Sequence, residues 1–441
     1  MQLPGNVQYC IETLERASFA TYAVGGCVRD SLLGLTPQDY DLCTAALPQQ
    51  IQDAFPSHGK VLSGLKHGTV GIIFSDGVVE ITTFRTEEGY TDGRHPDRVH
   101  FVSSIEEDLS RRDFTVNAMA YSPTRGIVDP FCGRHDLGNK ILRAVGDPAI
   151  RFQEDALRIL RGVRFAIRYN LTPDSETEQA MTRLAPLMDQ LARERVFSEL
   201  CKLLPLATAR DLIRFAPILT QPIPELAEMV GFDQHSPHHA YDLYTHTAHV
   251  TEGVSPDLTL RWAALLHDVG KIPCFTQDET GRGHFYGHAQ AGAPIADQIL
   301  RRLKAPTALR EQVVNLVGLH MTLLEPIRKT LRRRLSRLGR ETVDQLLQLQ
   351  MADMGSKGTG NDHELVPFHQ VRNLLAELYE EAACLTVGDL EVTGNDLIKL
   401  GFTPGKALGD CLMKLLDQVV DETLPNEKTA LLQAAKAELP Q

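Results

Sequence analysis

The sequence lacks a long apolar run. No stretch approaches the roughly 18 consecutive apolar residues of a membrane-spanning helix. The N-terminal segment MQLPGNVQYC has no basic stretch followed by an apolar one, as a signal peptide would. These absences predict a cytoplasmic protein with no membrane contact. With 441 residues, 43% hydrophobic and 23% charged, the chain is long enough for about two to four globular domains.

The cysteines show no metal-binding or disulfide pattern. They are scattered along the chain without CxxC spacing, which is typical of reduced thiols in a large intracellular protein. We therefore assign them no chemistry. The eight are Cys10, Cys27, Cys43, Cys132, Cys201, Cys274, Cys384 and Cys411.

An excess of positive charge is also missing. The net charge of -12 argues against a generic nucleic-acid coat protein, because phosphate binding is driven by Lys and Arg. The charge is uneven, however. Six arginines lie between Arg143 and Arg168, and RKTLRRRLSRLGR, from Arg328 to Arg340, holds seven basic residues. A solvated helix face explains the second run as well as a phosphate-binding surface does.

The pattern of hydrophobic residues predicts an α+β fold. Residues 20–145 alternate short β-rich pieces with turns, as in a mixed α/β domain around a small sheet. From about Asp147 onward the pattern is helical almost without interruption. In DALRILRGVRFAIRY the apolar residues fall on one side and the arginines largely on another. We predict a mixed-sheet head at 1–145, a helical neck at 146–230, a His-rich helical domain at 231–360 and a helical tail at 361–441.

Two carboxylates near the start of the chain point to a metal site. Asp39 and Asp41 alternate with a tyrosine in QDYDL, and residues i and i+2 of an extended strand face the same side. Their mutual repulsion is costly unless a cation lies between them, and Mg²⁺ suits such oxygen ligands and also bridges to phosphates. The pattern alone is common on protein surfaces. Glu80, on the candidate strand VVEITTF, could complete the metal shell.

Two glycines strengthen this interpretation. Gly25 and Gly26 follow the apolar strand TYAV and precede a short helix, so their amides can approach phosphate oxygens closely. Glycines, a basic residue and paired acids together are typical of phosphoryl-transfer sites, where a metal and dipoles stabilise negative charge.

An ordered set of motifs resembles that of the class II tRNA nucleotidyltransferases, the CCA-adding enzymes and the related bacterial poly(A) polymerases. It covers the first 200 residues densely and the rest loosely. The motifs are GGCVRDSLLG, DYD, RRDFTVNAMA (Arg111–Ala120), DPFCG (Asp129–Gly133), EDALRILR (Glu154–Arg161) and RERVFSEL (Arg193–Leu200).

This resemblance implies an activity: addition of C, C and A to the 3′ end of tRNA from CTP and ATP, with release of pyrophosphate. It implies that Asp39 and Asp41 hold a catalytic Mg²⁺. It further implies a set of nucleotide-binding residues, in which Asp155 and Arg158 read the incoming base. The others are Gly25, Gly26 and Arg29 for the triphosphate, Arg112, Asp113 and Asn117 for the sugar and phosphates, and Arg161 and Arg164 beside the base.

Two further features bear on this activity. Asp155, Arg158, Arg161 and Arg164 fall at steps of three, which on one helix would place them along a single flank. The segment Thr86–Val102 is polar and holds two glycines and a proline, so we predict a mobile loop. In the resembled family a flexible loop here accompanies addition of the final A, which favours full CCA addition.

Histidines and acids in the second half resemble the ligand set of the HD phosphohydrolase superfamily. Side chains of these types at such spacing suit one or two divalent metals, Mn²⁺, Ni²⁺ or Mg²⁺, which activate a water for attack on phosphorus. A scaffold that keeps the fold and only supports RNA binding is the alternative. The six residues are His246, His267, Asp268, His288, His320 and Asp353.

Other functions remain open at this stage. A poly(A) polymerase or an A-adding enzyme would share the same motifs, and so would differ only in nucleotide preference. A protein that is mainly an HD-type phosphohydrolase, and a non-catalytic RNA-binding protein, are more distant alternatives. In the leading interpretation the basic helical segments and the GFTPGK turn, Gly401–Lys406, contact tRNA phosphates. The sequence indicates no protein partner and no oligomeric state.

Overall fold

The computed structural model describes residues 1–89, 98–236, 240–358, 362–381 and 384–439. The chain divides into two compact units, the first formed by residues 1–207 and 214–227 and the second by residues 208–213 and 228–441. The finer division into four domains stays a prediction. In these ranges no helix combines the length and the apolar character needed to cross a membrane.

A seven-stranded mixed sheet forms the core of the first unit. The strands in the described part of this unit are β1 (Thr21–Val24), β2 (Asp41–Thr44), β3 (Lys60–Val61), β4 (Thr69–Phe74), β5 (Gly77–Thr83), β6 (Arg85–Glu88), β7 (Arg98–Phe101), β8 (Ala120–Ser122), β9 (Gly126–Val128), β10 (Ile141–Leu142) and β11 (Thr172–Pro173). The large sheet has the order β3-β4-β5-β2-β1-β8-β9. Within the described part of this sheet only β2 and β5 pair in parallel, and the other neighbours are antiparallel. The short strands β10 and β11 form a separate parallel pair.

Helices cover the sheet and continue beyond it. They are α1 (Gly5–Arg16), α2 (Gly26–Leu32), α3 (Pro48–Ala54), α4 (Ile105–Ser110), α5 (Gly133–Gly138), α6 (Pro148–Glu154), α7 (Leu157–Tyr169), α8 (Ser175–Leu184), α9 (Arg193–Leu203), α10 (Ala209–Arg214, mostly in the second unit), α11 (Ala216–Leu219) and α12 (Pro224–Ala227). Helix α1 buries Val7, Cys10, Ile11 and Leu14, the spacing of one apolar helix face. With the helices of the second unit, this confirms the predicted α+β class.

The predicted continuous helix through EDALRILR is interrupted. Helix α6 ends at Glu154, Asp155 has extended backbone angles (φ -148°, ψ 102°), and α7 starts at Leu157. The reason is local, because Oδ1 of Asp155 accepts a hydrogen bond from the Leu157 amide at 3.0 Å and so caps the new helix. The prediction that Asp155 shares a helix with the three arginines is therefore wrong.

The segment Thr86–Val102 is only partly the loop that we predicted. Residues 85–88 and 98–101 pair as the antiparallel ribbon of β6 and β7, with Arg85 opposite Phe101. Cross-strand hydrogen bonds thus order both ends of the segment. Its middle, residues 90–97, lies outside the described residues.

In its described residues the second unit is helical apart from one small hairpin, β12 (Thr276–Gln277) with β13 (Gly283–His284). Its helices are α13 (Leu243–Gly253), α14 (Leu258–Leu266), α15 (His288–Arg302), α16 (Thr307–Leu319), α17 (Arg328–Leu338), α18 (Arg340–Gly355), α19 (Val366–Glu380), α20 (Gly394–Lys399), α21 (Lys406–Val420) and α22 (Lys428–Ala437). The GFTPGK turn lies between α20 and α21.

The second basic run serves the fold of this unit. Buried Arg332 donates to the carbonyls of Val419 and Val420 at the C-terminal end of α21, at 3.0 and 2.9 Å. Arg333 pairs with Asp421 at 2.5 Å, and Arg328 bonds Glu381 and Glu422. These guanidiniums complement the partial negative charge of a helix end. Because these three arginines bind residues of their own unit, contact between this basic run and RNA would involve the other basic residues of the run.

Candidate active site and metal centre

The paired carboxylates lie at the edge of a large cavity in the first unit. Asp41 is the first residue of β2 and pairs with Val24, whereas Asp39 precedes the strand. Both line one cavity of about 570 Å³, which we call the nucleotide cavity. In the β2–β5 register Leu42 faces Ile81, and one residue earlier this places Asp41 opposite Glu80. Paired positions of parallel strands project to the same face. Asp39, Asp41 and Glu80 all line one further cavity, and we call these three residues the carboxylate cluster.

The pKa of Asp41 reflects this crowding. The surrounding protein raises the pKa of Asp41 by reducing the hydration of its carboxylate, although the side chain reaches solvent at the cavity edge. Arg112 opposes the shift and Asp39 adds to it. A carboxylate in this environment gains from a nearby cation.

Gly25 allows a close approach at the floor of the cavity. Its φ of +73° favours glycine, and a Cβ there would lie 2.8 Å from Nη1 of Arg112. Nε of Arg112 is buried and donates to no described residue. The absence of a side chain at Gly25 therefore leaves room for Arg112, whose Nε–H is available to a ligand.

The lining of the nucleotide cavity is positively charged, in contrast to the whole chain. Eight arginines and five aspartates surround it, an excess of three positive charges that suits a triphosphate. The arginines are Arg29, Arg111, Arg112, Arg158, Arg161, Arg164, Arg168 and Arg195; the aspartates are Asp30, Asp39, Asp41, Asp113 and Asp155.

Asp113 is the most tightly held carboxylate of the cavity. Its Oδ2 accepts from Nη2 of Arg161 at 2.7 Å, and its Oδ1 accepts from Nδ2 of Asn117 at 3.0 Å and from the Phe114 amide at 2.8 Å. Burial alone would raise the pKa of Asp113, but Arg161 and Asn117 lower it to about 2. Asp113 and Arg161 thus bind each other and brace the cavity wall.

Replacing Asp113 by Asn should lower the free energy of unfolding by about 2 kcal/mol at pH 7. The reason is that the pKa of Asp113 in the fold lies about two units below its value in the unfolded chain. A depressed carboxylate pKa stabilises the fold above the unfolded pKa, and this contribution is lost as pH falls from about 4 to about 2. The deficit of the variant should shrink over that range. Hydrogen exchange of strand β8 in urea measures it, and a deficit that does not change with pH would contradict the assignment.

The exposed carboxylate Asp76 offers the control. Asp76→Asn should match the parent protein at every pH in the same measurement, since its exposed carboxylate accepts only a surface hydrogen bond from Asn6 Nδ2, at 3.2 Å, among the described residues. Equal losses for both variants would point to a general charge effect.

The predicted base-reading pair, Asp155 and Arg158, also lines the nucleotide cavity, within a frame of further charges. Oδ2 of Asp155 accepts from Nη2 of Arg195 at 2.7 Å. Arg158 donates to Glu154 Oε2 at 2.6 Å and to the Arg111 carbonyl at 3.2 Å. Both side chains still line the cavity. The frame fixes their positions before any ligand arrives.

Arg29 and Arg164 are more deeply engaged than the sequence indicated. Arg29 is buried, donates to Asp30 at 2.7 Å and to the Tyr169 hydroxyl at 2.6 Å, and also bonds Asn117. Arg164 is buried and pairs with Glu199 at 2.7 Å, so it is not on the polar face predicted for the helix. Their predicted roles toward the nucleotide stay predictions.

In the second unit, all six residues of the predicted HD-like set come together. His246 Nε2 lies 3.1 Å from Asp353 Oδ1 and 3.7 Å from Asp268 Oδ2, and His267 Nε2 lies 3.1 Å from the same Asp268 oxygen. On the other side, His288 and His320 face each other with their Nε2 atoms 3.0 Å apart. Asp268 Oδ1 lies 3.4 Å from His288 Nε2. Asp268 therefore stands between two groups of possible ligands.

The histidine rings are oriented as metal ligands are. Nδ1 of His267, His288 and His320 lies 2.7, 2.8 and 2.7 Å from the carbonyls of Ala264, Phe285 and Val317, and Nδ1 of His246 lies 3.3 Å from the Ser356 carbonyl. Since a carbonyl only accepts, Nδ1 carries the proton and Nε2 presents a lone pair to the centre. Burial lowers the pKa of His320 to about 4, so this ring is neutral at pH 7.

The acids of the cluster are held ionised. Burial would raise the pKa of Asp268, but His267 and Lys271 hold it well below its ordinary value. Nζ of Lys271 lies 2.8 Å from Asp268 Oδ2 and donates to Gln234 at 2.9 Å. Asp268 in turn raises the pKa of His267, against the effect of burial. Imidazole nitrogens and carboxylate oxygens together are the donor set of a divalent metal centre.

Gly270 sets the distance between this centre and α15. A Cβ at Gly270 would lie 2.1 Å from the His288 carbonyl and 2.6 Å from the Gly292 amide. Gly270→Ala should therefore displace His288, destabilise the unit by about 1–3 kcal/mol and weaken metal binding at least about tenfold. Fluorescence of Trp262, the single tryptophan, reports unfolding of this unit.

Gly318→Ala is the matched control. A Cβ at Gly318 would lie 3.5 Å from the Ala293 Cβ, an ordinary van der Waals contact between α16 and α15. This variant should be as stable as the parent or more stable by up to about 1 kcal/mol. If Gly270→Ala also left both stability and metal affinity unchanged, the contact between Gly270 and α15 would not determine the position of His288.

Comparisons with known proteins show the family of the chain. Three family models match: the poly A polymerase head domain over residues 21–143, the probable RNA and SrmB-binding site of polymerase A over 170–228, and the putative tRNA nucleotidyltransferase domain 2 over 289–435. The CCA-adding enzyme of Levilactobacillus brevis is 37% identical over 432 residues, 96% of this chain and 95% of that protein. The chain belongs to the family of CCA-adding enzymes.

Other members of the CCA-adding family are similar over the full length. The enzyme of Lactiplantibacillus plantarum is 33% identical over 451 residues, covering 99% of this chain and 97% of that protein. The structure of the Bacillus stearothermophilus CCA-adding enzyme in complex with CTP superposes with a TM-score of 0.70 at 29% identity, covering 99% of this chain and 98% of that one. The two-part layout described above, a sheet-based head and a helical body, is thus that of the family.

Several site residues of this family member were not predicted. Arg195 and Glu199 come from the motif RERVFSEL, to which we assigned no role, and they reach Asp155 and Arg164 across the helices. Lys271 belongs to the HDVGK stretch beside the predicted ligands. In each case the motif was visible, but only tertiary packing shows which partner the side chain meets.

Proposed function

We propose that this protein adds C, C and A in turn to the 3′ end of tRNA, using CTP and ATP and releasing pyrophosphate. The nucleotide cavity carries the proposal, because it places paired carboxylates, a positively charged lining and the Asp155–Arg158 pair around one space. In the reaction a bond forms between the terminal 3′-oxygen and the α-phosphorus, and the bond from that phosphorus to pyrophosphate breaks. The cytoplasmic location stays a prediction.

The carboxylate cluster fits a divalent metal. Asp39, Asp41 and Glu80 would hold Mg²⁺, which would offset the charge developing on the α-phosphate and make the 3′-hydroxyl more acidic. The raised pKa of Asp41, caused by poor hydration and the neighbouring Asp39, is the observation that supports the fit. The arginines that line the nucleotide cavity, Arg112 among them, would bind the triphosphate and align it for in-line attack.

The pair Asp155 and Arg158 would select the base of the incoming nucleotide. C and A both present an exocyclic amine donor where U and G present a carbonyl acceptor. A carboxylate such as Asp155 accepts from that amine, and the guanidinium of Arg158 donates to the neighbouring ring atoms. The frame of Arg195 and Glu154 holds the pair in place, so the protein itself acts as the template.

Pyrophosphate counting tests the proposal. With Mg²⁺ and tRNA lacking its last three nucleotides, CTP alone should release two pyrophosphates per tRNA, CTP with ATP three, and ATP alone none. Many pyrophosphates from ATP alone would instead identify a poly(A) polymerase. No release under any condition would leave only RNA binding or the second site.

A second candidate function rests on the histidine cluster, namely metal-dependent hydrolysis of a phosphomonoester or a cyclic phosphodiester at RNA ends. The convergence of six metal-ligating side chains in the second unit favours it. The full-length protein, with its head inactivated by Asp41→Asn, should hydrolyse 2′,3′-cyclic phosphates with Mn²⁺, Ni²⁺ or Mg²⁺. Metal binding without turnover would mean that the cluster is structural.

A further inference from the structure

Exposed apolar side chains flank the histidine cluster of the second unit. In the described part of the chain, the three most exposed large apolar residues are Tyr286, Leu323 and Met321, at 80%, 61% and 58% of full exposure. Tyr286 lies two residues before the candidate ligand His288, and Met321 directly follows the candidate ligand His320. Large apolar side chains that are left in water together mark a binding surface. We call Tyr286, Met321 and Leu323 the apolar rim.

The two parts of the rim come together through their histidines. Nε2 of His288 and Nε2 of His320 lie 3.0 Å apart, so the turns that carry Tyr286 and Met321 meet on one side of the cluster. The cluster is not sealed, because the side chains of Asp353 and His288 keep 23% and 9% of their exposure, whereas the other four keep 1% or less. A substrate that reaches the cluster from the side of His288 therefore passes the rim.

The hairpin before Tyr286 holds this residue in place. Phe285 packs against Phe275 with ring centroids 5.5 Å apart, and its carbonyl lies 2.8 Å from Nδ1 of His288. The ring of His284, on β13, is parallel to that of Tyr286 within 7°, at a centroid distance of 5.3 Å. Phe285 is thus anchored while Tyr286 stays in water. A fixed and exposed aromatic ring is a stacking platform for another planar ring.

Gln350 fixes the other part of the rim. This buried residue donates through Nε2 to the carbonyls of His320 and Thr322, at 2.8 and 2.7 Å, on either side of Met321. The Thr322 amide closes the same turn by donating to the Leu319 carbonyl at 2.6 Å. A turn that is held in this way keeps Met321 beside His320 and needs little ordering when a ligand binds.

The chemistry of the rim and of the cluster together selects a ligand. A centre of histidines and carboxylates takes the phosphate of an ester. An exposed aromatic ring with a thioether nearby takes a planar apolar group, and a nucleic-acid base stacks on such a ring whatever its sequence identity. A nucleoside phosphate has both parts, joined by one ribose, whereas a simple phosphate ester has only the first.

We propose that the apolar rim binds the nucleobase of a terminal nucleoside while the 2′- or 3′-phosphate of that nucleoside lies at the histidine cluster. The inference rests on the second candidate function above and names the residues that select its substrate. In the hydrolysis a water oxygen bonds phosphorus, one ester bond from phosphorus to ribose breaks, and the released ribose oxygen takes a proton. Tyr286 binds the base and takes no part in these steps, so its loss weakens binding without slowing the chemistry.

Two substrates that differ only in the base test the rim. The full-length protein with Asp41→Asn and added Mn²⁺ is assayed on adenosine 2′,3′-cyclic phosphate and on methyl riboside 2′,3′-cyclic phosphate, which has no base. It should favour the adenosine ester at least about tenfold in kcat/KM, the size of one stacking contact. Tyr286→Ala should raise KM for the adenosine ester about tenfold, leave kcat unchanged, and leave kcat/KM for the ester without a base within about twofold.

Conservative and matched variants separate base binding from structural damage. Tyr286→Phe keeps the ring and should behave as the parent does. Met321→Ala should raise KM for the adenosine ester about threefold through lost van der Waals contact. Met413→Ala is its control, since Met413 is 51% exposed on α21 and flanks no candidate ligand; it should change neither ester. Equal use of both esters by the parent, or an equal loss on both in Tyr286→Ala, would overturn the proposal.

Photocrosslinking gives a readout that does not depend on turnover. Irradiation of the same protein with 8-azidoadenosine 2′,3′-cyclic phosphate and Ni²⁺ should label peptides that contain Tyr286 or Met321, besides any label in the first unit. Tyr286→Ala should lose the label at the rim and keep the other. Label confined to the first unit would contradict the proposal. If neither ester is hydrolysed but the rim is labelled, the hydrolytic function fails while base binding at the rim stands.

Discussion

Asp41→Asn is expected to lower the rate of nucleotide addition at least about 10³-fold. The substitution keeps the shape of the side chain but removes a negative charge from the cluster of Asp39, Asp41 and Glu80. Metal-based stabilisation of a phosphoryl transition state is worth several kcal/mol, and each 1.36 kcal/mol is a factor of ten. Single-turnover addition of C to tRNA measures the effect, and CTP affinity should fall far less because the arginines remain.

Asp76→Asn is the control for that result. Asp76 lines the same acidic cavity as the cluster but lies in the turn between β4 and β5, away from the nucleotide cavity. Its substitution should change the rate by less than about twofold. If Asp41→Asn kept a tenth or more of the parent rate, the carboxylates would not be the catalytic centre.

Asp268→Ala is expected to weaken binding of Mn²⁺ or Ni²⁺ to the second unit at least about 100-fold. Its two carboxylate oxygens face separate pairs of histidines, so one substitution removes a ligand from both groups. Isothermal titration with the parent and variant proteins measures affinity and stoichiometry. The isosteric Asp268→Asn leaves no cavity, and it should also lose metal affinity. It therefore tests the loss of the ligand even if alanine disturbs the fold.

The control is another aspartate that pairs with a histidine. Asp278 lies 2.8 Å from Nε2 of His284 in an exposed pair next to β13, outside the cluster. Asp278→Ala should bind metal as the parent does. A parent protein that binds no divalent metal, or an Asp268→Ala variant with unchanged affinity, would make the cluster a buried polar network instead.

The fold was predictable where local patterns dominate. Alternating β-rich segments before residue 145 and the long helical remainder are both present, because hydrophobic periodicity reflects which face each element buries. The break at Asp155 was not predictable, since DALRIL continues the helical pattern without interruption. An ion pair with Arg195, 40 residues away, and a new helix cap hold the extended backbone there.

The sites were predictable as residue types but not as arrangements. The six candidate metal ligands of the second unit were named from the resemblance to the HD phosphohydrolase superfamily, and their side chains converge. Arg164 was placed with the other arginines of its segment on the side of the helix away from the apolar residues. Arg164 is buried because it pairs with Glu199 of another helix, α9. The local sequence around Arg164 does not indicate this tertiary contact. The same holds for Glu80, which meets Asp41 only through the parallel pairing of β2 and β5.

The most direct test of the central claim is the identity of each added nucleotide. Three tRNA acceptors, lacking three, two or one of the terminal nucleotides, are incubated with all four nucleoside triphosphates and Mg²⁺, and their 3′ ends are sequenced. The account predicts that every acceptor is completed to CCA and then grows no further, and that Asp41→Asn completes none. Runs of A on all three acceptors, or growth past CCA, would contradict it.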